Sequence, residues 1–177
     1  ALADAVRKGQ PIIDRVVTVA GRVANPCNLR VRIGVPLLDV IDQAGGMTEG
    51  VRKLICGGPM MGIAVPDLNA PILKNTNAIL ALTEKEAKIY EPTACIRCGR
   101  CVANCPVSLN PAALARAMEN ENEDVRFVKL QEYSVGQCIE CACCSYVCPA
   151  HKPLMESNKQ GKRFVKKYKA EHAEGGK

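Results

Sequence analysis

The sequence has few aromatic residues and no long apolar segment. Aromatic side chains make up 3% of its 177 residues, and tryptophan is absent. Proteins that bind single-stranded nucleic acid usually stack bases on aromatic side chains, so the composition argues against nucleic-acid binding. No apolar run reaches the roughly 18 residues that a membrane-spanning helix needs. We therefore expect no transmembrane helix.

Residues typical of secretion and of acid–base catalysis are also scarce. The opening residues have neither an initiator methionine nor the charged start and apolar centre of a signal peptide. We interpret the chain as an internal fragment whose upstream part has been removed. There are two histidines, and no Ser/His/Asp set or carboxylate pair suggests hydrolysis. Abundant thiols without a secretory segment indicate a reducing compartment, the cytoplasm.

Cysteine, in contrast, is abundant, and eight of the 11 cysteines form two copies of the pattern Cys-x2-Cys-x2-Cys-x3-Cys-Pro. The first copy consists of Cys95, Cys98, Cys101, Cys105 and Pro106. The second copy consists of Cys138, Cys141, Cys144, Cys148 and Pro149. Three such thiolates from one loop can bind three corners of an iron–sulfur cluster, and in bacterial two-cluster ferredoxins the fourth ligand comes from the other copy. The pattern predicts two [4Fe–4S] clusters.

The crossed arrangement divides the eight cysteines into two ligand sets. The first cluster is predicted to be held by Cys95, Cys98, Cys101 and Cys148. The second is predicted to be held by Cys138, Cys141, Cys144 and Cys105. Cys143 lies inside the second loop but does not fit the repeat, so we interpret it as a non-ligand. A zinc site normally closes at four ligands from two Cys-x2-Cys pairs or histidines, and an odd cysteine count disfavours a disulfide framework.

The first half of the sequence predicts a small sheet packed on one helix. Residues 16–20 are mostly β-branched, and residues 28–34 alternate so that Leu29, Val31 and Ile33 share one face. Pro36 begins a helix that ends before Gly45-Gly46. Further strands are predicted at 53–56, from 63 onward and at 77–82. Together these elements indicate an α+β fold of the β-grasp type.

Three features of this half remain ambiguous from sequence alone. The loop Gly-Gly-Pro-Met-Met-Gly at 57–62 is not a phosphate-binding fingerprint, so we interpret it as a structural turn, with contact to a cofactor or partner as the alternative. Cys27 and Cys56 stand alone, and we expect buried free thiols.

The second half predicts helices between and after the cysteine copies. Asn110-Pro111 begins an alanine-rich helix, and a segment from Asp124 places Val125 and Val128 on one stripe, with Phe127 and Leu130 beside it. This favours an α-helical two-cluster ferredoxin domain over the compact βαβ type. The end of the chain is basic. We expect it to be solvated and partly disordered, with a basic helix that docks on an acidic partner or anionic lipid as the alternative.

The order of these pieces resembles the C subunit of the Rnf electron-transport complex. The resemblance rests on Val-Thr-Val-Ala-Gly at 17–21, Cys-Gly-Gly-Pro-Met-Met-Gly at 56–62 and the cysteine loops from 95 and from 138. It implies an upstream remnant at 1–13, a β-grasp, soluble-ligand-binding domain at 14–90, a dicluster ferredoxin domain at 91–155 and a basic tail at 156–177.

The resemblance also implies a function. Such a protein passes electrons through two clusters in an ion-translocating NADH:ferredoxin oxidoreductase complex, and sits peripherally on the cytoplasmic face of the inner membrane. Its partners are other subunits of the complex and ferredoxin-type or flavin electron carriers. FMN and NADH are expected on an upstream domain that this sequence does not contain. Two rival interpretations are a soluble cobalamin-reductase-like flavin/iron–sulfur protein and a zinc-stabilised interaction module.

Overall fold

The computed structural model describes residues 2–173 and divides the chain into two compact units, which meet in sequence between Ile89 and Tyr90. The first unit contains two helices and five strands. They are α1 (Leu2–Lys8), β1 (Asp14–Gly21), β2 (Cys27–Arg32), α2 (Leu37–Gln43), β3 (Val51–Cys56), β4 (Ile63–Ala64) and β5 (Ala78–Thr83).

The five strands form one mixed sheet in the order β2-β1-β5-β3-β4. The central pair, β1 and β5, is parallel, and the other neighbouring strands are antiparallel. The side chains of Val17 and Val19 on β1 are fully buried, as are those of Val40 and Ile41 on α2, in one shared core. This arrangement confirms the predicted β-grasp sheet packed on a helix.

Glycine is required at two turns of this sheet. Gly21 has φ +89°, and a Cβ there would overlap the backbone carbonyl oxygen of Ala81. In the Gly-Gly-Pro-Met-Met-Gly segment, the Gly62 N–H donates to the Gly58 carbonyl at 2.7 Å, and a Cβ on Gly62 would overlap Ile55. The segment is thus a tight turn between β3 and β4.

The second unit is helical. It contains α3 (Arg100–Ala103), α4 (Pro111–Met118), α5 (Glu123–Glu132), a short 3-10 helix (Val135–Gln137), α6 (Cys143–Tyr146) and α7 (Leu154–Ala173). The mixed fold class and the helical character of the cysteine-containing half are therefore confirmed. No helix among residues 2–173 has the length and apolar character needed to cross a bilayer.

Side-chain caps begin the two helices that separate the cysteine copies. The Asn110 side chain accepts a hydrogen bond from the Ala113 N–H, with Pro111 at the first helical position, as the sequence predicts. Asn122 caps α5 in the same way, through the Val125 N–H. Both caps fix where the helices start relative to the cysteine loops.

The predicted stripe on α5 is not the buried side of that helix. Val128 is 60% exposed and Val125 is 39% exposed, whereas Leu130 is fully buried. Leu130 belongs to the core that α4 and α7 share with this helix, and Phe164 of α7 packs against that core. Leu130 faces inward because α7 covers that side of α5. The sequence did not predict that α7 packs there.

The expectation of a partly disordered basic end is wrong for residues 154–173, which form the 20-residue helix α7. One side of α7 is buried through Leu154, Asn158 and Gly161. Gly161 lets it approach closely, since a Cβ there would lie 3.2 Å from both Leu130 and Val135 side-chain carbons. Residues 174–177 lie outside the described residues, and docking of this end on a partner or lipid stays a prediction.

Candidate metal centres

Two cavities in the second unit are each lined by one predicted set of four cysteines. The first cavity has a volume of about 310 Å³ and is lined by Cys95, Cys98, Cys101 and Cys148. The second is much narrower, about 20 Å³, and is lined by Cys105, Cys138, Cys141 and Cys144. The assignment of these thiols as ligands stays a prediction.

The two cavities are built from the same positions of an internal repeat. Cys95 and Cys138 are 43 positions apart (138 − 95 = 43), and the same offset relates every residue that lines the second cavity to one that lines the first. The offset extends beyond the cysteine pattern, since it pairs Ala112 on α4 with Met155 on α7. The repeat therefore includes a cysteine loop and the helix that follows it.

The backbone repeats as well. Residues with positive φ form three pairs at this offset: Arg97 (56°) and Glu140 (58°), Gly99 (74°) and Ala142 (63°), and Ser108 (54°) and His151 (49°). A left-handed conformation costs a non-glycine residue roughly 1–2 kcal/mol. Backbone N–H groups beside such residues form concavities that bind anions and many iron–sulfur centres. The paired strain indicates that both loops are shaped for the same kind of group.

Backbone N–H groups also donate to the thiol sulfurs. The Leu109 N–H donates to Cys105 Sγ at 3.3 Å, and the Cys101 sulfur accepts from the Ala112 N–H. Hydrogen bonds to sulfur are one of the factors that set the reduction potential of an iron–sulfur cluster. The polypeptide thus stabilises charge on sulfur at both sites.

Burial makes two of these thiols harder to deprotonate. It raises the pKa of Cys144 to about 11, and it also raises the pKa of Cys101. Because metals bind thiolates, loading these sites releases protons. Among the described residues, no three His, Cys, Asp or Glu side chains converge closely enough to hold a single metal ion.

The remaining cysteines lie outside the two cavities. Cys143 lines neither of them, and a hydrogen bond with Cys141 raises its pKa. In the first unit, Cys56 donates from Sγ to Thr76 Oγ1 at 3.6 Å, and Cys27 packs against the core. Both are half-buried rather than fully buried.

Comparison with known proteins gives the same two parts. Residues 16–64 match the SLBB domain, and residues 91–152 match the 4Fe-4S dicluster domain. The C subunit of an ion-translocating oxidoreductase complex of Rhodobacter capsulatus is 50% identical over 111 residues, which is 62% of this chain and 21% of that protein. The chain is a homologue of part of this C subunit.

Two other C subunits match at similar levels. The C subunit of the proton-translocating ferredoxin:NAD(+) oxidoreductase complex of Clostridium ljungdahlii is 46% identical over 116 residues, which is 65% of this chain and 25% of that protein. The C subunit of the ion-translocating oxidoreductase complex of Pasteurella multocida is 39% identical over 170 residues, 93% of this chain and 20% of that protein. The matched part therefore spans about a fifth to a quarter of these relatives.

In this homologue of the C subunit the two cavities differ in charge. Four cations line the first cavity with a single carboxylate, Glu119: they are Arg97, Arg100, Arg116 and Lys152. None of these cations forms an ion pair within residues 2–173. The second cavity is lined by Glu140, whose Oε1 lies 2.6 Å from Lys162 Nζ. Only a position-by-position comparison of the two copies could have revealed this difference from sequence.

The Glu140–Lys162 pair also connects the second cysteine loop to α7. Lys162 Nζ donates to the Cys138 carbonyl at 2.9 Å as well as to Glu140. The hydrogen bond from Lys162 lowers the pKa of Glu140. α7 therefore holds the loop that carries three of the four cysteines of the second set.

Proposed function

We propose that this chain is an electron relay that holds two [4Fe–4S] clusters. Cys95, Cys98, Cys101 and Cys148 are the ligands of the first cluster. Cys105, Cys138, Cys141 and Cys144 are the ligands of the second. The observation that carries the proposal is that each crossed set of four thiols lines a cavity of its own.

Each part of the polypeptide has a role in this relay. A [4Fe–4S] cluster supplies one-electron redox chemistry. The eight thiolates hold the clusters, and the N–H groups of Leu109 and Ala112 stabilise negative charge on sulfur. Because each set draws on both copies of the repeat, the two sites are tied to one another. Cations around the first cavity stabilise additional negative charge there.

The relatives suggest the setting in which the relay works. Their names describe C subunits of ion-translocating oxidoreductase complexes, one of them acting between ferredoxin and NAD(+). We propose that this chain serves in such a complex as a peripheral subunit on the cytoplasmic face of the membrane. FMN and NADH would bind a domain outside this sequence, and other subunits and ferredoxin-type or flavin carriers would exchange electrons with it.

Metal analysis tests the relay itself. The purified chain should contain about eight iron and eight sulfide per molecule. Dithionite reduction should give an electron paramagnetic resonance signal of two interacting clusters. Zinc without sulfide would instead support the interaction module. In the intact organism, recovery of the full-length protein with membrane subunits separates the complex from a soluble cobalamin-reductase-like protein, which should remain in the soluble fraction.

Paired cysteine substitutions test the crossed assignment. Cys95→Ser with Cys148→Ser should remove one cluster, about four iron, because both residues belong to one set. Cys138→Ser with Cys148→Ser should remove both clusters. The opposite result, with the second pair losing one cluster and the first pair losing two, contradicts crossing. Cys143→Ala is the control and should keep about eight iron.

A further inference from the structure

Asn158 on α7 is a polar side chain buried beside the second cavity. Only 1% of its surface is exposed, and it lines the cavity together with the four thiols of the second set. Its Oδ1 atom is buried and has no hydrogen-bond partner among the described residues. Burying an amide without a partner is unfavourable. Such a side chain therefore points to a hydrogen-bonding group that the surrounding polypeptide does not provide.

Neighbouring contacts fix the face of α7 that carries Asn158. One turn before it, the Met155 N–H donates to Ser145 Oγ at 2.9 Å, and Met155 lines the same cavity. One turn after it, Lys162 is bound to the Cys138 carbonyl. Residues at these spacings share one side of a helix. The Asn158 amide is therefore held against the second cysteine loop.

The internal repeat supplies a natural comparison. The residue 43 positions before Asn158 is Ala115, which lies on α4 and lines the first cavity. The helices occupy corresponding places, but the first presents a methyl group where the second presents an amide. The structure therefore provides a polar group at one site and none at the equivalent position of the other.

The chemistry of a cluster explains why an amide is useful there. Cluster sulfurs and thiolates accept hydrogen bonds and carry negative charge. The two ends of an asparagine amide have nearly the same shape, so a half-turn of the group replaces Oδ1 by the donor Nδ2. The eight cysteines and the charged residues were assigned above, and Asn158 is the group at this cavity that remains without a role.

We propose that the Asn158 amide donates a hydrogen bond from Nδ2 to a sulfur atom at the second cluster, and that this bond raises the reduction potential of that cluster alone. The inference rests on the proposed function, since it requires a cluster at this site. Reduction adds negative charge to the cluster, so a donor to sulfur favours the reduced state. Asn158 is a positioning and tuning residue, and the cysteines remain the ligands.

Redox titration of the loaded protein, followed by electron paramagnetic resonance, tests this role. Asn158→Leu keeps the size of the side chain but removes the donor. At a fixed potential, the ratio of reduced to oxidised second cluster should fall about tenfold, the effect of losing one hydrogen bond to a charged group. For one electron this corresponds to a midpoint about 59 mV lower. The midpoint potential of the first cluster should not change.

The repeat offers a reciprocal variant. Ala115→Asn places an amide at the equivalent position of the first site. It should raise the midpoint potential of the first cluster, which Asn158→Leu leaves unchanged. Gln160→Leu makes the same chemical change at an exposed position of α7 and should move neither transition.

The outcomes separate this inference from the proposed function. Suppose that every variant contains eight iron and eight sulfide, and that the second cluster of Asn158→Leu keeps the wild-type midpoint potential. This result overturns the tuning role and leaves the relay intact. A second outcome also overturns the inference. If Asn158→Leu loses the second cluster and Ala115→Asn leaves the midpoint potential of the first cluster unchanged, Asn158 has a structural role. Wild-type protein without sulfide refutes the proposed function and this inference together.

Discussion

Arg97 and Glu140 occupy the same position in the two cysteine loops, with nearly identical backbone conformations and opposite charges. Their φ angles are 56° and 58°, and each residue lines its own cavity. Replacing each by Gln changes charge while keeping a long side chain at a left-handed position. We predict that Arg97→Gln lowers the potential of the first cluster and that Glu140→Gln raises the potential of the second.

The size of the shift follows from the exposure of these charges. Two unit charges in water at 4 Å interact by about 1 kcal/mol, and exposed ion pairs usually contribute roughly 0.2–1 kcal/mol. About 0.5 kcal/mol for Arg97, which is exposed, corresponds to roughly 20 mV for one electron. Glu140 is paired with Lys162, so its neutralisation also frees a cation. Its shift should be at least as large.

Potentiometric titration with electron paramagnetic resonance measures both midpoints in one experiment. Lys129→Gln, on an exposed part of α5 that lines neither cavity, is the matched control and should change neither midpoint. The shift in Arg97→Gln should shrink as salt is added, because ions screen exposed charges. The reasoning would be refuted if Arg97→Gln and Glu140→Gln changed the midpoint potential of the same cluster, or if Arg97→Gln raised the potential of the first cluster.

Three further predictions concern stability and pH. Leu130→Ala should lower the free energy of unfolding by about 2–5 kcal/mol, because Leu130 is fully buried; urea unfolding monitored by circular dichroism measures this. Gly21→Ala should cost about 3 kcal/mol or more in the same assay, since its φ is positive and its Cβ would overlap Ala81. The Thr83 N–H and hydroxyl donate to Glu86 at 2.8 Å and lower its pKa. Their stabilising effect is present above the unfolded pKa and is lost as the pH falls through the lowered folded pKa, so Thr83→Val should raise the Glu86 pKa measured by NMR titration.

Local signals allowed much of the fold to be predicted from the sequence. The alternation of apolar and polar residues predicted β2, and Pro36 and Gly45-Gly46 marked the ends of α2. Asn110-Pro111 marked the start of α4. Each of these signals involves residues that are neighbours in sequence. The mixed fold class followed because the elements alternate in type along the first half and are helical in the second.

What the sequence did not reveal depends on long-range packing. α7 is polar over much of its length, and its buried side becomes apparent only when Leu130 and Val135 are seen against Gly161. For the same reason the sequence did not show that Leu130, rather than Val128, faces the core. In the sequence, Asn158 is one polar residue among many in a basic segment. Its importance follows from its burial beside the cysteines.

The proposed cysteine sets would also constrain the order in which the protein can mature. Cys148 lies 53 residues after Cys95 (148 − 95 = 53), yet both line the first cavity. While the ribosome is still synthesising the intervening helices, three thiols of the first loop have no fourth partner. Bringing Cys95 and Cys148 together closes a long loop, which has an entropic cost. Cluster binding can offset this cost only after both residues have been synthesised. Under the proposed ligand sets, iron delivered before Cys148 emerges would meet an incomplete site, so we expect correct loading to follow translation of the whole unit.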